Sequence, residues 1–221
     1  MVQEKHSAVF LENGKIYTRN LVPGKRVYGE QLIERNGTEY REWIPWRSKL
    51  CAAIMNGLKD FPIKPGSKVL YLGCAEGTTC SHLSDIVGMN GMVFGVDVSQ
   101  RAMRKFVFLS EERPNMVPFL GDASKPETYA EFVREVEPEV LVQDVSQKNQ
   151  SGIFIANAKA FLKKGNWGLL SVKARSIDSS ANPKDVFESE SREIGKALSV
   201  RQVVLLKPYE KDHALISAQC H

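Results

Sequence analysis

Four residues of this chain have the types and placing that proton transfer requires: Lys49 in "RSKL", Asp144 in "VQDVSQ", Lys173 in "SVKARSID" and His213 in "YEKDHA". A lysine acts as a base only where burial or a neighbouring cation disfavours its charged form, and a nearby carboxylate can hold or orient it. A second set suits a nucleoside. The stretch "VLYLGCAEGTTCSH" (69–82) passes from a strand-like apolar run through Gly73 and Gly77 to Thr78 and Thr79. Glycines there let the main chain turn tightly against a ligand, and the threonines can cap the following helix and donate to a carboxylate. Asp97, after the next apolar run, is placed to accept hydrogen bonds from ribose hydroxyls. Asp122, after the third, adds another acid that can meet the base or sugar.

These residues share an edge only if the intervening segments form one sheet. Apolar patterning places strands at 67–73, 92–97, 116–120, 139–145, 167–173, 200–206 and 213–219. Helical patterning falls between them at 78–88, 99–112, 126–136, 149–164 and 184–198. Such alternation implies a mostly parallel sheet covered on both faces, with ligands bound beyond the carboxyl ends of the strands. The residues just past those ends are Gly73 to Thr79, Asp97, Gly121 to Ala123, Asp144 to Gln147, Lys173 and Arg175. The last two strands are joined only by "KPYEKD", too short for a crossover helix, so that pair must be antiparallel. Residues 1–45 differ. Asn13-Gly14 and Asn36-Gly37 each separate alternating apolar segments, the signature of type I′ hairpins. We expect a small antiparallel β-domain over 1–45 and an α/β domain over 46–221, with Ser48 capping a helix that follows Pro45.

The chain has 221 residues, 43% of them hydrophobic, enough to bury a substantial core. A net charge of +4 is too small to hold nucleic acid by bulk electrostatics, which leaves a local patch as the route to an RNA partner. Cys51, Cys74, Cys80 and Cys220 lack the paired spacing of a zinc site and read as reduced, packed thiols. With no signal-peptide pattern and no apolar run near the roughly 20 residues of a membrane helix, a cytoplasmic protein without a membrane partner is expected.

The glycine loop does not match the G-x-G-x-x-G dinucleotide fingerprint, which argues against a nicotinamide-dependent oxidoreductase. It resembles instead the glycine motif of class I S-adenosylmethionine-dependent methyltransferases, Rossmann-like folds with a seven-stranded sheet. "YREWIPWRSKL", "KVLYLGCAEGTTCSHLSDIVG", "LGDASKP", "DVSQKNQ", "FLKKG", "VKARSID" and "PYEKDHA" together resemble fibrillarin, over residues 40 to 215, and most closely its archaeal branch. The resemblance implies transfer of the methyl of S-adenosyl-L-methionine to ribose 2′-hydroxyls of ribosomal or transfer RNA. It implies a catalytic tetrad of Lys49, Asp144, Lys173 and His213. Lys173 would take the proton, Asp144 would hold Lys173 and orient the donor, and His213 would relay the proton or bind the RNA backbone. Cofactor contacts would fall on Gly73, Gly77, Thr78, Thr79, Asp97, Val98, Asp122, Ala123 and the turn Asp144, Val145, Ser146, Gln147.

Three positions depart from the family pattern: Glu76 for a small residue, Asp97 for Glu and Ser146 for Ala. Glu76 matters most, since a carboxylate beside the methionine carboxylate repels it unless turned to solvent or paired. The implied partners are a box C/D guide RNA with its target, a Nop-domain scaffold and a kink-turn-binding ribosomal-type protein. Arg47, Lys163, Lys164 and Arg175 are then candidates for a basic, RNA-facing rim. A non-catalytic scaffold subunit is the rival reading, against which the intact tetrad argues.

Overall fold

The computed structural model describes residues 2–221. Five strands, β1 (Gln3–His6), β2 (Val9–Glu12), β3 (Lys15–Arg19), β4 (Leu32–Arg35) and β5 (Thr38–Trp43), make an antiparallel sheet in the order β1-β2-β3-β5-β4. Both Asn-Gly hairpins form. Asn13 and Gly14 have φ of 51° and 75°, Asn36 and Gly37 of 53° and 73°, the double left-handed geometry of a type I′ turn. β1, with no Asn-Gly signal, was not expected; its turn to β2 places Ala8 at φ 59°.

A 3₁₀ turn (Pro45–Arg47) leads into α1 (Lys49–Met55), whose N-cap is Ser48: its Oγ accepts from Cys51 N at 3.4 Å. There follow β6 (Lys68–Leu72), α2 (Thr78–Val87), β7 (Met92–Asp97), α3 (Gln100–Glu112), β8 (Met116–Leu120), α4 (Ala130–Val136), β9 (Val140–Gln143), α5 (Gln150–Phe161), β10 (Trp167–Lys173), α6 (Ala174–Ile177), α7 (Pro183–Gly195), β11 (Ser199–Leu205) and β12 (His213–Gln219). The strands form one sheet in the order β11-β12-β10-β9-β6-β7-β8. β12 is antiparallel to both β11 and β10, and the strands from β10 to β8 pair in parallel. The short last connection accounts for the β11–β12 hairpin, and β12 enters the sheet between β11 and β10. Two departures are local. The helix expected over 126–136 is split by a 3₁₀ turn at Pro126–Thr128, and the short α6 was not anticipated.

One face of the large sheet is covered by α1, α2 and α3 and the other by α4, α5 and α7. The N-terminal sheet shares the first core: Val9, Ile16 and Trp43 pack with α1, α2 and β6. A buried ionic cluster lies at that seam. Arg41 Nε donates to Glu30 Oε1 at 2.7 Å and its Nη1 to Asp85 Oδ2 at 2.9 Å, while Arg113 Nη1 donates to Asp85 Oδ1 at 2.6 Å. His82 lies fully buried beside them, stacked on Trp43 at 5.2 Å. Its two ring nitrogens face Thr18 Oγ1 at 2.8 Å and Tyr28 Oη at 2.7 Å. Among the described residues no helix is long and apolar enough to cross a membrane.

Burial, followed by the charges of Arg41 and Arg113, holds the His82 imidazole well below its ordinary value of 6.5. A histidine kept neutral in the folded state binds fewer protons than the unfolded chain below that value. Its stabilisation is therefore complete above about pH 6.5 and declines as the pH falls from there towards the lowered value. Urea unfolding at pH 7.5 and 5.5 is expected to show the wild type losing about 1.4 kcal/mol more than His82→Gln. Equal losses in the two proteins would remove His82 as the cause.

Candidate active site

The period of two along each strand decides which side chains meet. Val140 and Val142 of β9 face α1 and α2 while Leu141 faces α5, so the alternation carries Asp144 to the α1 side. On β10 Leu169 faces the same way and Leu170 and Val172 the other, which assigns Lys173 to that side too; on β12 Leu215 does the same for His213. α1 packs on this face and starts at Lys49. Register then pairs Lys173 directly with His213.

Lys49 Nζ donates to Asp144 Oδ2 at 2.8 Å, with the side chains 22% and 25% exposed. Asp144 is thus held by Lys49, which corrects the expectation that it holds Lys173. Among the described residues Lys173 Nζ has no hydrogen-bond or ion-pair partner. His213 Nδ1 lies 2.7 Å from the Lys211 carbonyl, so it is the donating nitrogen, and Nε2 carries the lone pair of the neutral ring. Glu210 Oε2 stands 3.8 Å from the same Nδ1.

Two cavities meet at this edge. One, of about 410 Å³, is lined by Arg47, Lys49, Thr78 and Thr79, with Gly73, Ala75 and Asp144 at its base. The other, of about 380 Å³, has Asp97, Val98, Ala123, Val145, Ser146 and Gln147 in its wall and shares Gly73, Ala75 and Asp144. Gly73 has φ 80°, and a Cβ on it would stand 2.4 Å from the Asp144 carbonyl oxygen. Gly77 has φ 91° and itself caps α2, so Thr78 and Thr79 are the first helical residues and not caps as expected. Thr79 Oγ1 instead donates to Ser48 Oγ at 3.1 Å, joining the starts of α1 and α2.

The acids have set orientations. Asp97 Oδ2 accepts from Ala75 N and Oδ1 from Ser99 N, both at 2.8 Å, which pins the glycine loop and leaves each oxygen a further lone pair. Asp122 Oδ1 accepts from Ser124 N, Ser124 Oγ and Gln147 Nε2, at 2.9, 2.8 and 3.2 Å. The Ser124 bonds hold its carboxyl below the usual range, and among the described residues nothing donates to Oδ2. Glu76 pairs with Lys105 of α3 at 2.6 Å, and that bond lowers its carboxyl and compensates the charge that the sequence left in question.

The residues fit S-adenosylmethionine. The carbonyl approach at Gly73 leaves no room for a side chain there, and Asp97 in the wall of the second cavity has lone pairs that could accept from ribose hydroxyls, whereas Asp122 lies between two lining residues, Gly121 and Ala123, without lining either cavity itself. Sequence reasoning missed Trp46, Tyr71 and Glu210, which line the first cavity. Tyr71 carried a signal, a polar tip in an otherwise apolar strand. Burial and then the charge of Asp144 push its phenol well above its ordinary value.

The proposed basic rim is divided. Arg47 borders the first cavity with its guanidinium 5.8 Å from the centre of the Tyr28 ring, and Arg175 donates to Asp212 Oδ2 at 3.0 Å at the same edge. Lys163 and Lys164 do not reach this edge. They precede Trp167, the opposite end of β10 from Lys173, roughly 20 Å away at 3.3 Å per strand residue. Lys163 pairs there with Glu137 at 2.7 Å.

The family model for fibrillarin matches residues 1–221. A fibrillarin-like rRNA/tRNA 2′-O-methyltransferase of Thermococcus gammatolerans is 57% identical over 201 residues, 91% of this chain and 88% of that protein. Among solved structures, Aeropyrum pernix fibrillarin in complex with natively bound S-adenosyl-L-methionine has a TM-score of 0.89 at 43% identity, covering 99% of this chain and 97% of that one. A fibrillarin/Nop5p complex contains a chain with a TM-score of 0.91 at 40% identity, covering 99% of this chain and 100% of the other. With the same fold and a family match along its whole length, this chain belongs to the fibrillarin family.

Proposed function

We propose that this chain is an S-adenosylmethionine-dependent RNA ribose 2′-O-methyltransferase, the catalytic subunit of a box C/D guide RNA–protein particle acting on ribosomal and transfer RNA in the cytoplasm. One observation carries the reading: the two cavities meet at Asp144, on the sheet face to which Lys49, Lys173 and His213 belong. Residues 46–221 would carry the chemistry, and the sheet within 1–45 would brace α2.

Asp97 and Asp122 would hold the nucleoside half of the donor, with Val98, Ala123 and the 144–147 turn around the base. Gly73, Thr78 and Thr79 would border the methionine half. Bound there, S-adenosylmethionine supplies a methyl group already activated by its sulfonium. The chain's own tasks are to hold a ribose 2′-hydroxyl in line and to take its proton. Lys173 is the acceptor of that proton in this reading. Asp144 is paired with Lys49, and among the described residues no carboxylate pairs with the Lys173 amine. His213, directly across the strands from Lys173, would relay the proton or bind the RNA backbone.

The acceptor strand would be chosen by pairing with a guide RNA held on a Nop-domain scaffold and a kink-turn-binding protein. A fibrillarin/Nop5p complex among the structural relatives supports the scaffold. A chain of net charge +4, with Arg175 already bonded to Asp212, gains little non-specific affinity for RNA at physiological salt.

Three outcomes are expected. Asp97→Ala should weaken donor binding by roughly 1.5–3 kcal/mol in calorimetry, the scale for hydrogen bonds to a charged group. An intact fold with unchanged affinity would sink that assignment. Lys173→Met should keep donor affinity and lower the single-turnover methylation rate by about 10² or more. Retained turnover would put the base elsewhere. Finally, 2′-O-methyl mapping should find transfer by the reconstituted particle with a matched guide, and hardly any with a mismatched guide or with the isolated chain. Comparable guide-independent transfer by the chain alone would make it a stand-alone RNA methyltransferase.

A further inference from the structure

β9 ends at Gln143, opposite Leu170, yet β10 continues to Lys173. From Asp144 the chain leaves the sheet to line the crevice, so the last three residues of β10 have no strand on that side. Main-chain groups in such a gap need partners. Gln150, the first residue of α5, supplies them for Lys173. Fully buried, its Oε1 accepts from Lys173 N at 2.9 Å and its Nε2 donates to Lys173 O at 3.4 Å. One carboxamide thus takes the place of a peptide group of the missing strand.

The arrangement reaches further in both directions. Gln143 Nε2 donates to the Gln150 carbonyl at 2.8 Å, so the residue just before Asp144 and the main chain of Lys173 are both tied to the start of α5. Since Lys173 directs both of its main-chain groups at Gln150, its pairing with His213 is the non-hydrogen-bonded kind. The bond from Ala174 N to Asp212 O, at 3.1 Å, agrees with that phase of the ladder. In this kind of pair the Cα atoms stand only about 4.5 Å apart and the side chains are closest.

We propose that Gln150 is a positioning residue for Lys173: its buried carboxamide, standing in for a strand, fixes the distance of the Lys173 amine from Asp144 and from the crevice. The proposal rests on the reading of Lys173 as proton acceptor. A lysine is a point charge on a flexible stem, so its placing depends on the main chain that carries it, and a displacement of about 1 Å at a reacting group can cost about 10² in rate.

The test is a double-mutant cycle in the guide-loaded particle, read by single-turnover methylation, RNA KM and S-adenosylhomocysteine affinity. Gln150→Met is expected to lower the rate about 10- to 100-fold, with KM and cofactor affinity within about twofold of wild type. Gln150→Glu, which keeps an acceptor and, when neutral, a donor, should restore most of the rate. In the Lys173→Met background Gln150→Met should add nothing. If the methionine variant does not fold, Gln150→Asn, one methylene too short to reach both groups, enters the same cycle. An equal further loss in the Lys173→Met background, or a fall in cofactor affinity that matches the fall in rate, would overturn the proposal and leave Gln150 as a structural residue. Wild-type turnover by Lys173→Met alone would instead overturn the reading of Lys173 and the proposal with it.

Discussion

The main chain of Gly73 runs against the carbonyl of Asp144 with no space for a side chain between them. That contact joins the ends of two adjacent parallel strands, β6 and β9, whose following helices depart to opposite faces of the sheet. Two chains that touch and then diverge must open a crevice just beyond the touch, which is why open α/β sheets bind ligands at such a point. Here Gly73, Ala75 and Asp144 belong to both halves of the crevice, and Asp144 is the one among them with a charged side chain. Any Cβ at position 73 would stand 2.4 Å from the Asp144 carbonyl oxygen, so the two main chains would have to separate. Glycine at this place is therefore a condition for the close approach of β6 and β9 that forms the crevice.

The other fixed point lies at the seam with the N-terminal sheet. Arg41 and Arg113 are balanced by Glu30 and Asp85, so the cluster is neutral and each charge is met by hydrogen bonds. Removing one member of such a group typically costs about 3–5 kcal/mol, although an apolar replacement of the whole can be neutral or better. Its value to this chain lies in orientation. Ser81, His82 and Asp85 all take part from α2, the helix that brings Thr78 and Thr79 to the crevice. The N-terminal sheet thereby sets the angle of a helix whose first turn lines the site, and Tyr28, which bonds His82, also lies under Arg47 at the rim.

How much of this could be read in advance follows from the range of the forces involved. The seven strands, both Asn-Gly hairpins and the Ser48 cap depend on local rules of periodicity, turn geometry and capping, and they stand within a residue or two of their expected places. The gathering of Asp144, Lys173 and His213 at one edge was legible because strand ends in such a sheet share an edge. Their pairing was not. Whether Asp144 meets Lys49 or Lys173 depends on where α1 packs, which no local pattern states. Lys163 and Lys164 were misplaced by composition, since a basic pair before a strand looks the same at either end of a sheet. Gln150 gave no signal, because its partner is a main-chain position 23 residues away in a gap created by the exit of β9.

The distribution of charge at the site follows one logic. On the donor side the acids are pinned: Asp97 by Ala75 and Ser99, Asp122 by Ser124 and Gln147, and Glu76 by Lys105. A carboxylate oriented by main-chain donors needs no rearrangement when a ligand arrives, which suits a site that must bind the same small molecule every time. Around Lys49, Asp144, Lys173 and His213 the balance reverses, with Lys49 paired to Asp144 and Lys173 without a partner among the described residues. The rim cations are also committed, Arg47 to an aromatic face and Arg175 to Asp212 and the Ser179 carbonyl. Guanidinium groups held in this way contribute positive potential but are not free to follow a phosphate backbone of arbitrary course. A pinned crevice beside a rim of this kind would suit the proposed reading, in which the acceptor is delivered in one fixed geometry by other components and the chain itself needs only a nearly neutral body.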